Sequence, residues 1–142
     1  MRIVLDTSTL VAAIRSHTGA ARAVVDLILA GQVTLLMNFP MACEYRSVAL
    51  RPKHVTASQF QAASIVRLIE DLEDLAEPVE IQKSHRPLSP DPDDDLVLDL
   101  AINGRADAII ANNIRHLRES AARFRIPVLD ARSALVTIRE VR

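Results

Sequence analysis

Four short apolar runs recur along the chain, at residues 2–5, 33–37, 107–111 and 126–129, separated by stretches whose apolar residues repeat at helical spacing. Runs this short, bounded by turn and capping residues, read as buried strands, and strands alternating with helices imply parallel pairing through βαβ crossovers. The expectation is an α/β chain whose parallel sheet is covered by helices on both faces. The chain has 142 residues. One domain over 1–142 is expected, because single cores usually hold roughly 100–200 residues.

Local chemistry delimits the helices. Asp6, Thr7, Ser8 and Thr9 suit a helix start, and residues 10–14 are apolar. A helix over 18–30 stops at Gly31, and one over 41–50 has Pro40 in its first turn. Residues 56–76 read as a single amphipathic helix, with Ile65, Leu68, Ile69, Leu72 and Leu75 at helical spacing. A short strand is expected at 78–81, then a loop over 82–92 punctuated by Pro87, Pro90 and Pro92. A helix over 93–103 carries acids in its first turn and closes at Asn103-Gly104. Helices over 114–124 and, capped by Asp130, through 138 complete the order.

Composition narrows the function. Half of the chain is hydrophobic and the net charge is -1, which suits a folded domain. The lone Cys43 excludes a disulfide framework or a thiol zinc site, and His17, His54, His85 and His116 show no ligand spacing. Aromatic residues are only Phe39, Phe60, Phe124 and Tyr45, too few for the stacking platforms that read single-stranded bases. No stretch approaches the ~20 apolar residues of a membrane span, and the early Asp6 interrupts any apolar leader. A cytoplasmic protein without membrane contact is expected. Charge is segregated: residues 70–99 hold 11 acids against Lys83 and Arg86, whereas 105–142 hold 8 arginines against 4 acids. Acidic stretches are commonly solvated faces; arginine is the side chain best matched to phosphate.

In an open parallel sheet, ligands bind beyond the carboxyl ends of the strands. Asp6 ends the first strand, and Asn112-Asn113 follow the strand containing Ile109-Ile110. Glu44 lies early in the helix after the second strand, and Asp91-Pro92-Asp93-Asp94-Asp95 opens another. These elements can meet at one sheet edge. Carboxylates gathered there raise each other's pKa unless a cation intervenes, and an all-oxygen set suits Mg²⁺ or Mn²⁺ rather than zinc. Each residue also has a plainer role. Asp6 serves equally as a helix N-cap, Asp93 to Asp95 complement a helix dipole, and Glu44 suits a solvated helix face.

Taken together, these motifs resemble the PIN-domain ribonucleases, in particular the toxin components of toxin–antitoxin pairs. The anchors are Ile3-Val4-Leu5-Asp6-Thr7-Ser8-Thr9-Leu10-Val11, Glu44, Asp91-Pro92-Asp93-Asp94-Asp95, Ala106-Asp107-Ala108-Ile109-Ile110-Ala111-Asn112-Asn113 and Ile126-Pro127-Val128-Leu129. The resemblance implies a three-layer α/β/α sandwich and a Mg²⁺- or Mn²⁺-dependent endoribonuclease. It maps the acidic ligands onto Asp6, Glu44 and Asp94, with Asp95 as the register alternative and Asp91 at the mouth. Three positions depart from the pattern. Ser8 stands where Asn is usual, Ala111 where Thr or Ser is common, and Asn113 where a fourth acid is usual. Asn113 still offers an amide oxygen to a hard cation.

Two rival readings follow from the same residues. A haloacid-dehalogenase-type phosphatase needs a second Asp two residues after the first, where this chain has Ser8. A PIN fold kept for RNA or protein binding is the other, favoured by Ala111 and Asn113 and opposed by the retained Asp6, Glu44 and Asp94. The expected partners are an RNA substrate, with Arg115, Arg118 and Arg123 along its backbone, a cognate antitoxin, and a second copy in a homodimer. The helix over 18–30 is apolar nearly all round, broken only by Arg22 and Asp26. It is either a central core helix or, with 56–76, part of that partner surface.

Overall fold

The computed structural model describes residues 1–82 and 88–141. The strands are β1 (Arg2–Leu5), β2 (Thr34–Met37), β3 (Glu77–Pro78), β4 (Ala108–Ile110) and β5 (Val128–Leu129). The helices are α1 (Thr7–Arg15), α2 (Ala20–Leu29), α3 (Phe39–Ala49), α4 (Pro52–Ser58), α5 (Ala62–Leu75), α6 (Pro92–Asn103), α7 (Arg115–Ala122) and α8 (Ala131–Val141). Among the described residues the strands form one parallel sheet in the order β3-β2-β1-β4-β5.

Successive strand residues point to opposite faces. In β1, Ile3, Val4 and Leu5 are all buried, as are Ala108, Ile109 and Ile110 of β4. Both faces are therefore covered, and the layered α/β arrangement expected from the sequence is the one found. The register sets Val4 opposite Ile109 and Leu5 opposite Ile110. The chain winds outward from β1 in both directions, so the crevice at the carboxyl ends of β1 and β4 is the switch point of the topology.

Two expectations are corrected. The helix expected over 56–76 is two helices, broken where Gln59 adopts a left-handed φ of 63°. The Ser58 hydroxyl donates to the Val55 carbonyl (2.7 Å) and accepts from the Phe60 amide (3.0 Å), an alternative that competes with continuing the helix. His17 clamps the break, stacking on Phe60 at 4.5 Å with Nε2 3.0 Å from the Ser58 carbonyl. The strand expected at 78–81 lies instead at Glu77–Pro78, where it pairs with the end of β2. The centre of the loop expected over 82–92, with Pro87, lies outside the described residues.

Helix α2 is a core helix. It buries Ala21, Val24, Val25 and Ile28 and packs on α1, α5 and α8, with Arg22 and Asp26 paired on its outer side. The strongly exposed large apolar side chains among the described residues, Phe39, Leu75, Ile81 and Val136, all lie elsewhere. These contacts fit the core-helix alternative for α2, on which Leu27 and Leu29 stay partly exposed, and Leu75 is the exposed large apolar residue of α5.

The glycine stops act by different means. Gly31 has φ +74°, the left-handed turn that ends α2. Gly104 caps α6 with φ −84°, so its role is close packing rather than backbone freedom. A Cβ there would sit 2.8 Å from Leu36 Cδ1 and 2.9 Å from the Leu100 carbonyl oxygen, and backbone cannot yield as a side-chain tip can. Gly104→Ala is expected to lower stability by about 1–3 kcal/mol through overpacking, read as a lower urea midpoint at unchanged slope.

Candidate functional site

Asp6 leaves β1 with its amide donating to the Ile110 carbonyl (2.8 Å), which extends the β1–β4 ladder by one bond. The Thr9 hydroxyl donates to the same carbonyl at 3.1 Å. Asp6 is then the N-cap of α1, accepting from the Ser8 amide at 3.3 Å and from the Ser8 hydroxyl. Both bonds use Oδ2. Among the described residues Oδ1 receives none, so the capping role and a ligand role are not exclusive. The Ser8 hydroxyl also accepts from the Asn112 amide (3.0 Å), tying the ends of β1 and β4 together.

Glu44 reaches the same crevice from α3. The Asn38 side chain caps that helix at the Met41 amide (3.0 Å), and Pro40 occupies its first turn. One residue beyond Glu44, the buried Tyr45 hydroxyl donates to the Leu5 carbonyl at 2.6 Å. Burial and the nearby Asp6 push this phenol above its usual range, so it stays a donor. The bond fixes α3 against the residue preceding Asp6.

Helix α6 supplies the remaining acids. Asp91 caps it, its Oδ1 accepting from the Asp93 amide and its carbonyl from the Asp94 amide, both at 3.0 Å. Three successive aspartates on a helix point about 100° apart, and here they divide. Asp93 and Asp94 line the crevice, whereas Asp95 is buried and accepts from the Leu88 amide and the Ser89 hydroxyl, each at 3.0 Å. Of the two register candidates, Asp94 is the one at the crevice. Asp95 anchors the segment that enters α6.

The crevice comprises two adjoining cavities. The first, of about 430 Å³, is lined by Asp6, Ser8, Glu44, Asp93 and Asp94, with Arg51, the N-cap of α4, and His54 within that helix. The second, of about 340 Å³, shares Asp6, Ser8 and Asp94 and adds Asp91, Asn113 and Leu117. Burial raises the pKa of Glu44, and Asp93 and Asp6 raise it further against the opposing pull of Arg51. Burial likewise raises that of Asp94, with Asp91, Asp6, Asp93 and Asp95 adding to it. The acids therefore feel one another's charge across the cavity. Their donor set, all oxygen, fits a hard divalent cation. Among the described residues no three acid, histidine or cysteine side chains close on a single point, so the carboxylates form an open ring.

The arginines expected along the RNA backbone, Arg115, Arg118 and Arg123, are all exposed. Arg118 donates to the Val128 carbonyl at 3.3 Å, and Arg123 donates to the Leu88 carbonyl and lies over the Phe124 ring. Both bind the chain's own backbone. Arg115 is exposed at the start of α7 and lines neither cavity. Ala111 is fully buried, its amide bonded to Leu129, and also lines neither cavity. Sequence reasoning missed Arg51 and His54, because reading 56–76 as one helix gave residues 51–54 no element of their own.

A search of curated proteins finds no match to this chain. The family model described as PIN domain matches residues 2–115, a span that holds Asp6, Glu44, Asp91, Asp94 and Asn113. PIN domains are generally nucleases, and the chain belongs to the PIN domain family.

Proposed function

We propose that this PIN domain is a metal-dependent endoribonuclease that hydrolyses RNA phosphodiester bonds and acts as the toxin of a toxin–antitoxin pair. One observation carries the nuclease reading: carboxylates from three separate elements, Asp6, Glu44 and Asp94, line one cavity at the carboxyl ends of the central strands. The toxin role rests on the likeness of the sequence motifs to toxin-type PIN ribonucleases. An antitoxin and a homodimer belong to the same reading, and the exposed Phe39 and Leu75 offer apolar surface for such contacts.

Asp6, Glu44 and Asp94 would hold Mg²⁺ or Mn²⁺, with Asn113 as a neutral oxygen donor beside them and Asp91 at the mouth. The bound cation lowers the pKa of a water and offsets charge on the phosphate. The chain's own part is positional. Ser8 holds Asp6 by Oδ2, leaving Oδ1 directed to other uses. Tyr45 fixes Glu44 relative to β1, and the Asp91 cap fixes the turn that carries Asp94.

The capping and ligand roles of Asp6 are separable. Asn accepts the same backbone bond as Asp, so Asp6→Asn is expected to fold with unchanged or higher stability in EDTA. Wild type should gain melting temperature with Mg²⁺ or Mn²⁺, by about 2.7 kcal/mol of stabilisation at ~100 times the dissociation constant. Asp6→Asn should gain little and should no longer cut a mixed RNA that wild type cuts. Equal metal stabilisation and equal cleavage in the two proteins would leave Asp6 as a cap alone.

A pH series tests the ring itself. Because the Glu44 carboxyl titrates above its ordinary 4.5 in the folded chain, the native state holds its proton more tightly than the unfolded state does. Stability from this group is therefore lost as pH rises from 4.5 through the folded value. In EDTA, Glu44→Gln is expected to melt increasingly above wild type as pH rises through that window, and added Mn²⁺ should reverse the order. A constant difference between the two melting curves across pH would show that Glu44 feels no such ring.

A further inference from the structure

The cavity at the carboxyl ends of β1 and β4 has two unlike walls. Four acids, Asp6, Glu44, Asp93 and Asp94, would repel a polyanion approaching it. Among its lining residues Arg51 is the single formal cation, and it is the N-cap of the short helix α4 that carries His54. Neither residue borders the second cavity, so they mark the side away from Asp91 and Asn113.

His54 is buried, 8% exposed, with Nδ1 3.4 Å from Arg15 Nη1. A guanidinium has no acceptor, so Nδ1 must be the accepting nitrogen of that pair. Burial, Lys53, Arg15 and Arg51 all hold the imidazole below its usual pKa. The ring is then neutral near pH 7 with its proton on Nε2, and among the described residues nothing accepts from that N–H. Arg51 is exposed and, among the described residues, forms no ion pair within 4 Å. The two side chains thus offer free donors and, from them, no acceptor. A phosphodiester, which only accepts, matches that pairing.

We infer that Arg51 and His54 form a phosphodiester-binding subsite that holds the RNA phosphate neighbouring the one cut at the carboxylates. The inference rests on the ribonuclease reading and adds a direction to it: the strand lies across the cavity from α4 toward the Asp6–Asp94 side. It adds a contact to those expected of Arg118 and Arg123, each of which gives one guanidinium N–H to a backbone carbonyl, of Val128 and Leu88. The break at Gln59 is what makes the subsite possible, because it lets α4 pack on α1 instead of continuing along α5.

The test is binding of a labelled single-stranded RNA of mixed sequence in EDTA, followed by anisotropy over a salt series. Arg51→Gln is expected to weaken binding roughly tenfold to a hundredfold, the loss of one charge-assisted contact. Its log–log salt slope should fall by about 0.7, one phosphate contact on a single strand. Arg51→Lys should keep the slope and recover part of the affinity, and Arg67→Gln on α5 should match wild type. His54→Gln, which keeps an N–H donor, should bind more tightly than His54→Phe at equal melting temperature. If Arg51→Gln binds with wild-type affinity and slope while wild type cuts RNA with Mn²⁺, the subsite is wrong and the ribonuclease reading stands. Wild type that neither binds nor cuts RNA overturns both.

Discussion

A parallel sheet whose chain leaves its central strand toward both edges must open a crevice at that strand's carboxyl end. Here the strand is β1, flanked by β2 and β4, and the residue at its end is Asp6. Every other feature of the site is referred to that position. The Asp6 amide is bonded to β4, its side chain starts α1, and Ser8 reaches back to the Asn112 amide. The ladder bond fixes the Asp6 backbone, and the carboxylate cannot swing away from its neighbours without breaking the cap bonds from Ser8.

Gathering acids costs stability, and the structure shows what opposes their separation. Burial raises the pKa of both Glu44 and Asp94, and Asp93 and Asp6 raise each of them further. Each is mounted on a helix whose start is fixed by a neutral or capping contact: Asn38 for α3, Asp91 for α6. The Tyr45–Leu5 bond adds a buried link of about 1 kcal/mol in net terms. These contacts do not depend on the ionisation of the ring, so the scaffold holds whether or not the acids are protonated.

Much of this was legible beforehand because it rests on short-range rules. Period and capping chemistry are local, so the strands at 2–5 and 107–111, the Gly31 stop and the Asp130 cap, whose Oδ1 accepts from the Ser133 amide, were all readable. So was the convergence of Asp6, Glu44 and Asp94, since topology alone brings strand ends and helix starts together. What was not readable depends on side chains meeting across the fold. The split of Asp94 from Asp95 follows from Leu88 and Ser89 claiming one of them. That Arg118 and Arg123 each give one N–H to the Val128 and Leu88 carbonyls is likewise not shown by anything local. Whether the apolar α2 is core or surface was open for the same reason, because α8, which helps cover it, arrives from the far end of the sequence.

The division between Asp94 and Asp95 also explains why so acidic a stretch folds as a helix start. An unpaired carboxylate at the first turn is stabilised by the helix dipole and by free amides, typically by 0.3–1 kcal/mol each. Asp91 uses that field by capping, and Asp95 turns inward to accept from the Leu88 amide and the Ser89 hydroxyl. Only Asp93 and Asp94 are left with their charge turned into the cavity. The run of acids is thus not one cluster: Asp91 caps the helix at the edge of the second cavity, Asp95 is buried, and these two set the position of Asp93 and Asp94. A change at Asp95 would act on the cavity indirectly, by releasing the segment at Leu88 and with it the angle at which α6 presents Asp94.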